Sequence, residues 1–130
     1  MSRFRSRIVG EHGNATVGFA LVTPMLIAVA LAVLQVALTL HVRATLAAAA
    51  AEGARAAAMV GADALAGEQR TRAILDGNLA ASVVDGISVR RELHDGVLVV
   101  AVRIAARLPL LGMLGPSVMT VDGHALEEFA

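Results

Sequence analysis

Between Gly13 and Leu40 the chain carries no charged side chain, and this run limits every other reading of the sequence. Its apolar part, Val17 to Leu40, is 24 residues, roughly 36 Å of helix against a bilayer hydrocarbon core of about 30 Å. A cleaved secretory signal has an apolar region of only about 7–15 residues, so this run is too long for one. Buried inside a soluble protein, it would need a surrounding core that the rest of the chain cannot supply. The run therefore reads as one membrane-spanning helix. Arg3, Arg5 and Arg7 precede it, and Arg43 and Arg55 follow within the window where charge sets orientation. That bias places the N-terminus in the cytoplasm and the C-terminal domain outside the cell membrane, in a single pass.

Composition narrows the classes of function. Hydrophobic residues make up 57% and charged residues 17% of the 130 residues, more apolar and less charged than an ordinary globular domain, as an anchor requires. The net charge is zero, and after residue 50 the arginines are interleaved with Asp and Glu. With no Trp or Tyr, and only Phe4, Phe19 and Phe129, no aromatic platform for stacking bases is at hand. Nucleic acid is not an expected partner. The lack of cysteine excludes disulfides, thiol nucleophiles and cysteine zinc sites.

Local patterns predict an α+β fold: a long N-terminal helix, a second helix and a small antiparallel sheet of about three strands. A basic leader is expected over 1–13, the transmembrane helix and its extension over 14–60, and a small extracytoplasmic domain over 61–130. The extension, HVRATLAAAAAEGARAAAMVG, is rich in helix formers up to Val60. Gly61 marks a break, and Asp63 is an N-cap for the second helix. Leu75, Leu79 and Val83 fall on one face of that helix, although Asp76-Gly77-Asn78 can divide it in two. Ile87, Val89, Arg91 and Leu93 then alternate with polar residues, as in a half-buried strand. His94-Asp95-Gly96 reads as a tight turn, Val97 to Ile104 as a strand buried on both faces, and Val118 to Val121 as a short last strand. Pro109 and Pro116 bracket an apolar loop, and the stretch from Leu108 to Leu114 is expected to cover the sheet, the other reading being a partner-binding patch.

Chemistry is thinly represented. His12, His41, His94 and His124 have no metal-ligand spacing, the acids are scattered, and neither a phosphate loop nor a nucleophile elbow occurs. No catalytic residue, cofactor or metal is expected. The helix is more informative. At 100° per residue, Pro24, Ala28, Ala32, Gln35, Thr39 and Arg43 share one narrow face, where small residues allow close backbone approach and Gln35 can hydrogen-bond to a neighbouring helix. The alternative is a monomeric anchor whose alanines face lipid. The alanine-rich extension poses the same choice, between a second helix packed on it and a stalk with no partner.

The stretch GNATVGFALVTPMLIAVALAVLQVALTLHVR, followed by AAEGARAAA with its EGAR segment Glu52 to Arg55, resembles the TadE-like proteins of tight-adherence pilus systems, which are of the type IV pilin class. The tail VDGHALEE, Val121 to Glu128, looks like the ends of actinobacterial members, so the similarity covers most of the chain. The resemblance implies a leader ending at Gly13 and a prepilin peptidase cut before Asn14. It also implies partnership with other pilin-like subunits, the pilus assembly platform and the membrane. One position departs from the family: Gly18, before Phe19, stands where it usually places a glutamate five residues after the cut. The expected role is a non-enzymatic pseudopilin or minor pilus-assembly component. The competing reading is a membrane-tethered extracytoplasmic binding module unrelated to pili, and a third is a secreted factor cut by signal peptidase within Ala47 to Ala51. Alkaline phosphatase fused after Ala130 should be active, and a cytoplasmic reporter at the same place inactive. The reverse pair of activities would refute the orientation.

Overall fold

A computed structural model describes residues 11–108 and 117–128. The leader arginines, the span from Pro109 to Pro116 and Phe129 lie outside the described residues. The chain divides into two compact units, Met1–Ala37 and Leu38–Ala130. The fold is α+β: helix α1 (Glu11–Ala58), helix α2 (Ala64–Leu75), a 3-10 turn (Leu79–Val83), and strands β1 (Val84–His94), β2 (Val97–Leu108) and β3 (Ser117–Leu126). The strands form one antiparallel sheet in the order β1-β2-β3.

Alanine and leucine carry α1 for 48 residues, with Pro24 inside the helix. The end comes at Ala58, short of Val60, because Gly61 takes a left-handed φ of 76°. Its last carbonyls are met by other elements: Glu128 N–H donates to Ala58 O at 2.9 Å, and Arg91 Nη2 donates to Ala57 O at 3.5 Å and Ala62 O at 3.1 Å. Arg91 also reaches Glu127 Oε1 at 3.3 Å. A cation at a helix C-terminus is favourable because the carbonyl dipoles there sum to a partial negative charge.

Asp63 caps α2, its carboxylate accepting from Ala66 N–H at 2.9 Å. Beyond Leu75 the helix stops, since Gly77 at φ 78° turns the chain before the 3-10 segment begins. The expected apolar face therefore fails at its middle member, Leu79, while Val83 still packs half-buried against the core. Leu75 is buried, but Leu79 is 80% exposed, and Ala80 takes the inward position. The left-handed residue resets the angular phase on which the four-residue spacing depended.

Asp95 and Gly96 both have positive φ, 51° and 82°, and connect His94 to Val97 as a two-residue hairpin. Val100, Val102, Ile104, Ala106 and Leu108 point inward along β2 and are buried. The expectation that β2 is buried on both faces is incorrect. Val97 is 44% exposed and Arg103 and Arg107 are exposed, because helices cover one face of the sheet only. β3 is also longer than expected. Asp122, Gly123 and His124 continue it in ladder register opposite Arg103, Val102 and Ala101.

The alanine-rich half of α1 is neither a bare stalk nor a face awaiting a second chain: it lies in the core of its own domain. Val42, Leu46, Ala49, Ala50, Ala54 and Ala57 are buried, Leu46 completely, against the sheet and α2. Glycines set the spacing. A Cβ on Gly123 would lie 2.6 Å from Ala50 O and overlap the Ala50–Ala51 peptide. At the crossing with α2, a Cβ on Gly53 would lie 2.9 Å from Gly67 O and collide with Thr71, and one on Gly67 would lie 2.7 Å from Ala57 Cβ. Thr71 is fully buried there, its hydroxyl donating to Gly67 O at 2.8 Å. Gly123→Ala must push a backbone aside and should destabilise the domain by about 1–3 kcal/mol. Unfolding followed by circular dichroism in detergent would check this, and an unchanged midpoint would show that the helix can shift freely.

Candidate membrane and packing surfaces

Along the unit up to Ala37, the apolar side chains of α1 point outward. Phe19, Leu21, Met25, Leu26, Val33 and Leu34 are each more than 60% exposed. They occupy all sides of the helix, so no polar face is left for water. A helix apolar all round is either enclosed by protein or surrounded by lipid, and this one is not enclosed by its own chain. Among the described residues it is the helix long and apolar enough to cross a membrane, and it fits a single-pass membrane protein.

Polar atoms within this helix are accommodated locally. Thr23 Oγ1 donates to Phe19 O at 2.8 Å, and Thr45 Oγ1 donates to His41 O at 3.0 Å, so each hydroxyl spends its proton on the helix. Pro24 has no N–H, which leaves the Ala20 carbonyl without its usual donor inside the helix. Of the predicted packing residues, Pro24, Ala28 and Ala32 are exposed, and Gln35 and Thr39 are half-buried. The processing pair, Gly13 and Asn14, is exposed on α1.

The outer face of the sheet is polar and paired. Arg103 and Asp122 stand opposite each other in the β2–β3 register, with Nε to Oδ1 at 2.7 Å and Nη2 to Oδ2 at 3.2 Å. This two-pronged hydrogen bond holds the Asp122 carboxyl below its ordinary pKa and raises that of Arg103. Asp85, the extra residue at the β1 irregularity, pairs with Arg107 at 3.2 Å. A cleft of about 30 Å³ between Arg90, Arg103, Asp122 and His124 is too small for an organic substrate. Among the described residues no group of three potential metal ligands comes together.

Sequence reasoning missed the Arg91 clamp on the end of α1 and the glycine crossing at Gly53 and Gly67. Both had signals. Arg91 falls on the inward phase of the β1 alternation, where an apolar residue would be expected. Ala49, Gly53 and Ala57 repeat at four residues, the spacing that lets a second helix approach closely.

The comparison with known families falls on the helix, from Gly13 to Arg55. Residues 13–55 match the family of TadE-like proteins. No curated protein and no solved structure matches the chain. The TadE-like segment begins at the expected leader end, takes in the whole uncharged run, and stops within the EGAR segment. There Arg55 Nη1 meets Glu52 Oε1 at 2.9 Å. Gly53, inside that segment, is the residue that touches α2.

Asp122 supplies a pH test of the sheet. Its carboxyl titrates lower in the folded chain than in the unfolded one, so the contribution is fully present above about pH 4 and is lost as pH falls through the folded value. Asp122→Asn should lower the unfolding midpoint at pH 7, and the gap from the parent should close in strong acid. A gap that persists in strong acid would assign the effect to packing.

Proposed function

We propose that the protein is a TadE-like pseudopilin or minor pilus-assembly component, non-enzymatic, and held with its N-terminus in the cytoplasm and its α+β domain outside. The observation that carries this reading is the match over residues 13–55, which takes in a run of helix that up to Ala37 is apolar all round and exposed. Such a surface suits lipid while the protein waits in the membrane, and neighbouring helices once it is assembled. Pro24, Ala28, Ala32, Gln35 and Thr39 form the face offered to those neighbours. Small side chains let the helix backbones approach, and the amide of Gln35 is the polar contact, worth roughly 0.6–2 kcal/mol in lipid. Pilin-like subunits and the assembly platform are the partners, and prepilin peptidase cuts before Asn14.

Gly18 sets the place within that system. An acid there would neutralise the amino terminus of an adjacent subunit inside an apolar bundle, where an unpaired ammonium is costly. Gly18 offers no such partner, so the protein acts at the assembly side and enters filaments rarely. A side chain at this position meets nothing within 4 Å along its own chain, and Gly18→Glu should insert normally. Mass spectrometry of protein from membranes should find Asn14 as the mature N-terminus. The ratio of sheared to membrane-bound protein should be low for the parent and several-fold higher for Gly18→Glu, following the removal of an unpaired charge. Abundant parent protein in sheared filaments would exclude the minor-component role, and an uncut leader would exclude the pilin-like route.

A further inference from the structure

Within the unit from Leu38 onward, α1 has no stalk. Leu40, the last residue of the uncharged apolar run, is exposed, and Val42 is already 6% exposed in the domain core. Two residues of helix advance only about 3 Å, whereas the headgroup layer on each side of a bilayer is roughly 5–7 Å deep. The base of the domain therefore cannot stand clear of the headgroups if Leu40 closes the span. The segment at that base is the turn between α2 and the 3-10 helix. Gly77, Asn78, Leu79 and Ala80 flank Leu38, His41, Val42 and Thr45 around a groove of about 280 Å³. Leu79 is the most exposed large hydrophobic residue of the described chain. It has polar neighbours on both sides of the groove, His41 and Thr45 from α1 and Asn78 from the turn.

We infer that this turn is a membrane-contacting foot: Leu79 inserts at the boundary between headgroups and acyl chains, beside Leu38. An apolar tip with polar flanks is the chemistry that suits that boundary. Leu38, at the end of the uncharged apolar run, lines the same groove as Leu79, and both belong to the unit from Leu38 onward. The strands agree with the direction. Gly123 packs on Ala50, and Glu128 N–H reaches Ala58 O, so β3 advances along α1 in the same sense and begins, at Ser117, towards the Leu38 end. β2 ends at Leu108, which pairs with Ser117 on that side. The inference rests on α1 spanning a membrane but is independent of any pilus.

The chain has no cysteine, so an environment-sensitive probe can be attached to single cysteines at Leu79→Cys, Leu93→Cys and Val33→Cys in full-length protein reconstituted into phosphatidylcholine–phosphatidylglycerol vesicles. Leu93 is 72% exposed next to the hairpin turn and serves as the water-facing control; Val33 reports the span. Brominated lipid should quench the probe at 79 roughly twofold or more beyond that at 93, and iodide should do the opposite, as for a side chain seated in the interface. Strong lipid quenching at 33 with equal quenching at 79 and 93 would overturn the foot and leave the anchor standing. A probe at 79 shielded from both quenchers would put a second protein chain on the turn and overturn the lipid assignment. Failure of lipid quenching at 33 would remove the anchor and the foot together.

Discussion

The close approach of α1 to its own domain is the contact on which the rest of the structure depends. Where β3 passes Ala50 and Ala51, and where α2 crosses at Gly53, backbone meets backbone with no room for a methyl group. Alanine side chains bring little apolar area, so burial per residue is modest. What replaces it is proximity. With the axes close, the larger residues Leu46, Val100, Val102 and Ile104 can each touch both layers and are buried completely. A core with few large side chains is therefore packed by shortening distances.

The ends of the elements follow from that contact. Holding the helix so near the sheet places its last carbonyls within reach of Arg91 on β1 and of the Glu128 N–H just past β3. Two strands thus terminate one helix, and the polar ends of the helix are satisfied by parts of the chain far away in sequence. The outer face of the sheet, which no helix covers, is organised by charge pairing instead, with Arg103 opposite Asp122 and Arg107 beside Asp85. One-sided coverage explains why β2 has apolar residues in one phase and arginines in the other towards its end.

Much of this was legible in the residues. The uncharged run, the Asp63 cap, the Asp95-Gly96 hairpin and the α+β order all rest on local rules, and the structure follows them. The errors arose where a residue's role is set from a distance. Leu79 has helical spacing from Leu75, but one left-handed glycine between them moved it outward. β3 runs past its expected end at Val121 because Gly123 lets the strand lie directly against α1. The alanines after Arg43 gave no sign of which surface would take them, because a methyl group has the same shape on every face. The match to TadE-like proteins bears on the helix and not on the sheet.

One consequence concerns how a single helix is divided between two solvents. α1 is unbroken from Glu11 to Ala58, and nothing in its backbone marks where a bilayer should stop. Composition marks it. Up to Leu40 the helix is rich in Leu, Val, Ile and Met, whose transfer into lipid is favourable; from Arg43 it is chiefly alanine punctuated by Arg43, Glu52 and Arg55, and a buried Arg costs about 2.5–3.5 kcal/mol at insertion. The small residues that let the helix press against its sheet are also too weakly lipophilic to favour transfer into lipid. Leucines in this half would hold the helix off its sheet, and they would also lengthen the apolar run and blur the point of exit. The alanines thus give the newly made chain an address as well as a core.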